Sequence, residues 1–171
     1  MPYTADREKS PWAVDSAVPA SKLLSDNPAR DYGVRVGQST ILVTDSWGNE
    51  HNRMTSAPNH KSLQAMVDKV KDKTEKDNTK LQKTYDKAKA AHESGDRKLA
   101  LSEITKNFKT GLVGLAAQEE TIRLYHTIMD EARAQVKELA DKKDVEGLKS
   151  MLKDLRKTDV EKEINEAIKN S

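Results

Sequence analysis

Residues 81–104 run LQKTYDKAKAAHESGDRKLALSEI, and this stretch decides the fold class. Leu81, Tyr85, Ala88 and Ala91 recur at helical spacing; Ser94-Gly95-Asp96 then supplies a glycine to end one helix and an aspartate to cap the next. Ala100, Leu101, Ile104 and Phe108 resume the stripe before Gly111 ends it. The predicted unit is a helical hairpin. Shifted by 48 residues, the pattern recurs: Leu81 falls on Met129, Ala88 on Val136, Ala91 on Leu139, Asp96 on Asp144, Ala100 on Leu148 and Ile104 on Leu152. Hairpins of this kind stack, because each carries an apolar face that it cannot bury alone.

Downstream, Gly111-Leu-Val-Gly114 reads as a connector. Ile122, Tyr125, Met129, Ala132, Val136 and Leu139 predict a long helix from about 117 to 141. Val145, Leu148, Met151, Leu152 and Leu155 predict a shorter one, and Val160, Ile164, Ala167 and Ile168 a last, with Thr158 or Asp159 as cap. Upstream, Leu63, Met66, Val67 and Val70 stand at i, i+3, i+4 and i+7, with Asn59 or Ser62 as cap. Lys71 to Lys80 has no large apolar residue, and the pattern there fits a continuing helix or a break.

The first sixty residues differ. All five prolines lie at or before Pro58, as do both tryptophans, and proline is the strongest breaker of a helix interior. Residues 1–19 show no period and read as an extended or disordered lead-in. Asp26-Asn27-Pro28 caps a brief helix that stops at Gly33. Thr40-Ile41-Leu42-Val43-Thr44 predicts a strand that turns through Asp45-Ser46-Trp47-Gly48-Asn49 and returns from Glu50 to Met54.

Charge is dense but balanced: 30 Lys and Arg against 28 Asp and Glu in 171 residues, net +2. Neither sign has a surplus for a nucleic-acid partner, and the lysine clusters at 69–73, 76–83 and 142–143 are interleaved with acids, as on a solvated helix face. Hydrophobic residues make up 35% and aromatics 4%, so narrow apolar stripes are expected in place of one large core. No cysteine is present, which excludes disulfides, zinc thiolates and thiol nucleophiles. MPYTADREKSPWAV lacks the apolar core of a secretory signal, and no run suffices to cross a bilayer. As written, the chain reads as soluble and cytoplasmic, without membrane insertion.

One segment resembles a known family. Asn27-Pro28-Ala29-Arg30-Asp31-Tyr32-Gly33-Val34-Arg35, followed by Thr40 to Val43 and the Gly48 turn, is similar to the C-terminal half of a thioredoxin-like domain of the TlpA or thiol-disulfide interchange type, over about residues 20–70. The resemblance implies a short helix, a β-hairpin and a final helix at about 60–71. It also implies a cis-proline loop, where Ser39 and Thr40 stand here; Ser39 does not favour a cis bond, which costs a non-proline residue about 2.5–4 kcal/mol. The Cys-x-x-Cys half is missing, so thiol–disulfide exchange is closed to this chain alone. The hairpin then packs bare on the helices, is completed by a second chain, or marks a truncated product. Residues 71–171 loosely resemble a tetratricopeptide hairpin array, although 48 is not that family's period.

Candidate sites are few. His51, His60, His92 and His126 form no ligand pair and are expected at the surface or in turns. Glu119-Glu120 is a first-turn acidic pair facing a helix dipole. Trp47 at the hairpin tip is either tucked onto the helices or offered to a partner, and Tyr125 is a core residue or a partner contact. Catalytic residues, cofactors and metals are not indicated. The expectation is a mainly α protein: a lead-in at 1–19, a partial thioredoxin-like segment at 20–70 and a helical hairpin region at 71–171. Its expected role is non-catalytic scaffolding or binding of a protein partner, homodimerisation included. The alternatives are the C-terminal fragment of a longer redox protein, which would belong to the cell envelope, and a coiled-coil assembly factor.

Overall fold

The computed structural model describes residues 17–171. After a 3-10 turn at Lys22–Leu24, the elements are α1 (Pro28–Asp31), β1 (Ile41–Thr44), β2 (Glu50–Met54), α2 (His60–Glu93), α3 (Arg97–Phe108), α4 (Ala116–Asp141), α5 (Val145–Asp154) and α6 (Val160–Asn170). The fold is mainly α, with one small two-stranded antiparallel sheet. α4 is its centre, packed against α2, α3, α5 and α6. Its buried Ile122, Tyr125, Ile128, Met129, Ala132 and Val136 meet Ala88 and Ala91 of α2, Ile104 and Phe108 of α3, Leu148 and Met151 of α5 and Ile164 of α6 in one apolar cluster.

Local chemistry sets the helix ends. Asn59 caps α2, its Oδ1 accepting from Ser62 N at 2.8 Å, and Asn27 caps α1 with Pro28 in the first turn. Leu115, at the start of α4, has no capping side chain, so α2 supplies one: Asn78 Oδ1 accepts from Ala117 N at 3.0 Å.

The 48-residue repeat is visible in the turns. Asp96 Oδ1 accepts from Leu99 N and Asp144 Oδ1 from Gly147 N, both at 2.9 Å. Asp96 N donates to Ala91 O and Asp144 N to Leu139 O, again at 2.9 Å. Gly95 and Lys143 occupy the matching left-handed position, at φ 81° and 54°. Two turns with one hydrogen-bond pattern return α3 onto α2 and α5 onto α4.

Three readings are sharpened. Lys71 to Lys80 is unbroken helix, so α2 crosses the boundary expected at residue 70; the stretch has no Gly or Pro, and pairs such as Lys80–Asp77 (3.5 Å) support it. The helix expected at about 60–71 therefore reaches Glu93. Residues 1–16 of the lead-in lie outside the described residues, but Val18 packs against the main apolar cluster, because an aliphatic side chain there gains by leaving water.

Candidate functional site

The hairpin tip is bolted to the helical body. Asn49 Nδ2 donates to Val113 O at 2.8 Å and Asn49 Oδ1 accepts from Val113 N at 2.9 Å, a reciprocal buried pair across 64 residues. The Trp47 ring lies over Gly114 so closely that a Cβ there would stand 2.0 Å from Trp47 Cδ2. Ser21 Oγ donates to Trp47 O at 2.7 Å and Tyr32 Oη to Gly48 O at 2.6 Å. Burial pushes the Tyr32 phenol above its usual range, with the Asp45 and Glu50 charges adding to it. Arg53 closes the other side: it donates to Tyr32 O and ion-pairs with Glu50 at 2.7 Å, and its hydrogen bond holds the Glu50 carboxyl below the usual range.

Within this frame the turn residue Asp45 is saturated. Its Oδ1 accepts from Trp47 N and Asn49 N, both at 3.0 Å; its Oδ2 accepts from Asn49 Nδ2 at 2.8 Å and faces His51 Nε2 at 3.3 Å. The strand register places Val43 opposite Asn52 but Thr44 opposite Glu50, so His51 is the extra residue of a β-bulge. Such a bulge bends the strand and re-aims a side chain. The His51 side chain is only 5% exposed, and its Nδ1 has no hydrogen-bond partner. A carboxylate only accepts, so Nε2 carries a proton toward Asp45.

His51 and Asn52 form one wall of a cleft of about 610 Å³ whose other wall is α2: Met66, Lys69, Val70, Asp72, Lys73 and Lys76. Met66 and Val70 are half-buried, while the lysines and Asp72 are exposed. Leu63 and Val67 beside them are 41% and 51% exposed. The arrangement offers an apolar surface and a rim of three cations against one acid.

The sequence-derived candidates fare unequally. Trp47 is half-buried on Gly114, held as a fastener between hairpin and connector because only a glycine leaves room for its ring. Tyr125 is 3% exposed, its ring edge-on to Phe108 at 5.4 Å, so it is a core residue with no face for a partner. Ser39 is exposed and Thr40 half-buried just before β1, outside the cleft, and no cis peptide bond occurs among the described residues. His60 is exposed and His92 faces Glu131 at 3.6 Å. His51 overturns the surface expectation, because the bulge turns it to Asp45. Glu119, in the first turn of α4, is half-buried, and burial raises its carboxyl above the usual range. Among the described residues no group of three or more His, Cys, Asp or Glu is placed to hold a metal ion, and no helix is long and apolar enough to cross a membrane.

The cleft was missed at the sequence level. Its one local signal is Asp45 and His51 flanking a turn at i and i+6, and the bulge that makes them meet leaves no mark in a single sequence. No family model, curated protein or solved structure matches the chain.

Proposed function

We propose that this protein is a non-catalytic protein-interaction module in which α3–α6 form a rigid base, and the β-hairpin with the first half of α2 forms the recognition platform. The observation that carries the reading is the solvated apolar strip on α2. Leu63 and Val67, at 41% and 51% exposure, adjoin the half-buried Met66 and Val70 of the cleft. Other exposed apolar side chains, such as Leu99 at 47%, stand singly, which is ordinary for a protein surface. A contiguous strip beside a cleft is the kind of surface that marks partner binding. The tip bonds and Trp47–Gly114 packing support the reading, since a platform fastened to its base loses little conformational entropy on binding. The thioredoxin-like resemblance of residues 20–70 enters only as the origin of the hairpin, without redox chemistry in a chain that has no cysteine.

The test is photocrosslinking in the cell that makes the protein. A benzophenone side chain is placed at Leu63 or Val67, and as control at Lys149, on an exposed position of α5. We expect a discrete higher-mass adduct from the α2 positions and none from Lys149. Adducts of equal yield from all three, or none from α2, would refute the platform.

A further inference from the structure

We propose that the cleft between β2 and α2 takes an extended acidic peptide segment, with an apolar side chain on Met66 and Val70 and carboxylates against Lys69, Lys73 and Lys76. This rests on the interaction reading above and names the chemistry of its partner.

Two features of the cleft converge on that occupant. The first is charge. Lys69, Lys73 and Lys76 recur at i, i+4 and i+7 and therefore share one side of α2, with Asp72 the only acid among the lining residues. The rim favours an anionic occupant and repels a basic one. The second is extent. From Leu63 to Lys76 the helix rises by about 20 Å, which matches about six residues of extended chain. A small anion would cover the lysines and leave Leu63 and Val67 in water. A peptide alternating acidic and apolar residues covers both.

The experiment uses the full chain and two fluorescein-labelled octapeptides, one alternating Glu and Leu and the other alternating Lys and Leu. Binding is followed by fluorescence anisotropy, and the His51 ring nitrogens by two-bond proton–nitrogen NMR. We expect the Glu peptide to bind at least about tenfold more tightly than the Lys peptide, with the preference shrinking as salt is raised. We also expect a His51 ring resonance to move on saturation, since His51 lines the cleft. Because His51 belongs to the hairpin network, the decisive variant is on the surface: the triple reversal K69E/K73E/K76E should keep the thermal melt and invert the peptide preference. Equal binding of both peptides, a preference that survives the triple reversal, or an unmoved His51 signal would each overturn the proposal. So would inorganic phosphate alone reproducing the His51 shift, which would make the occupant a small anion, or sedimentation showing a dimer that V67E dissolves, which would make it a second copy. If the photocrosslinks at Leu63 and Val67 form while the Glu peptide shows no preference, the platform stands and only its acidic partner falls.

Discussion

Along α2, one lysine-rich helix passes from a half that its neighbours cover to a half that they leave in water. Leu81, Ala88 and Ala91 are 2%, 0% and 5% exposed, against 41% and 51% for Leu63 and Val67. Local sequence does not separate the halves, since both carry apolar residues at helical spacing. What separates them is reach. Among the described residues, α2 packs against α3 and α4 and buries Leu81, Ala88 and Ala91 of its second half, whereas the cleft beside the two-stranded sheet runs along its first half. A helical stripe therefore shows which residues can be buried, and the rest of the chain decides which are.

The largest expected effect tests this contrast directly. Leu81→Ala removes buried methyl groups from the small cluster that Leu81 forms with Leu115 and Ala117, and should cost about 3 kcal/mol in urea unfolding. Leu63→Ser combined with Val67→Ser should stay within about 0.5 kcal/mol of the parent. Comparable losses would mean that the first half of α2 is covered in solution, and the contrast would collapse.

How much of this was legible follows from the range of each interaction. Helix starts and stops at Asn27, Asn59, Gly95 and Asp96 could be read from the chain because caps act over three or four residues. The strand pair could be read because its turn is short. The continuity of α2 through Lys71–Lys80 was open, since a charged run without Gly or Pro suits an exposed helix as well as a loop. Asn49 with Val113 and Trp47 with Gly114 join segments more than sixty residues apart, and no local pattern announces them. Gly114 looked like one of two glycines in a connector. Its second role, giving a tryptophan ring the space that a Cβ would fill, appears only when the hairpin tip arrives. His51 was misjudged for the same reason, because its burial is set by a bulge and not by the neighbours it has in sequence.

The hairpin's hold on the body sharpens the comparison from the other side, since it is what keeps a sheet near the uncovered half. Asn49→Ala strands the buried N–H and C=O of Val113 and should cost about 2 kcal/mol. The loss should be local, with hydrogen exchange rising at Val113 and through β1 and β2 while the α4 interior stays protected. Gly114→Ala should give the same exchange pattern, because its Cβ displaces Trp47 and because φ of 73° strains any side chain. If Asn49→Ala raised exchange throughout α4, the hairpin would belong to the core and not to a platform resting on it.

The smallest expected effect concerns the turn that brings α3 back onto the covered half of α2. Gly95 and Lys143 sit at equivalent points of two turns with the same hydrogen bonds, and both have positive φ. Lysine in that region carries about 1–2 kcal/mol of steric strain. Glycine escapes the strain but loses about 0.5–1 kcal/mol more backbone freedom on folding. The difference sets the direction: Lys143→Gly should stabilise the protein by about 0.5–1 kcal/mol, and Gly95→Lys should destabilise it by a similar amount. For a chain of this size each change moves the melting temperature by only about 2–4 °C per kcal/mol, so calorimetry on both variants and on the double exchange is needed. The double exchange should melt close to the parent, because it moves one lysine and one glycine between two sites of the same shape. If instead Gly95→Lys alone lost several kcal/mol, the two turns would differ in more than their residues. The first would then be holding α3 against the covered half of α2 in a way that the second does not repeat for α5 on α4.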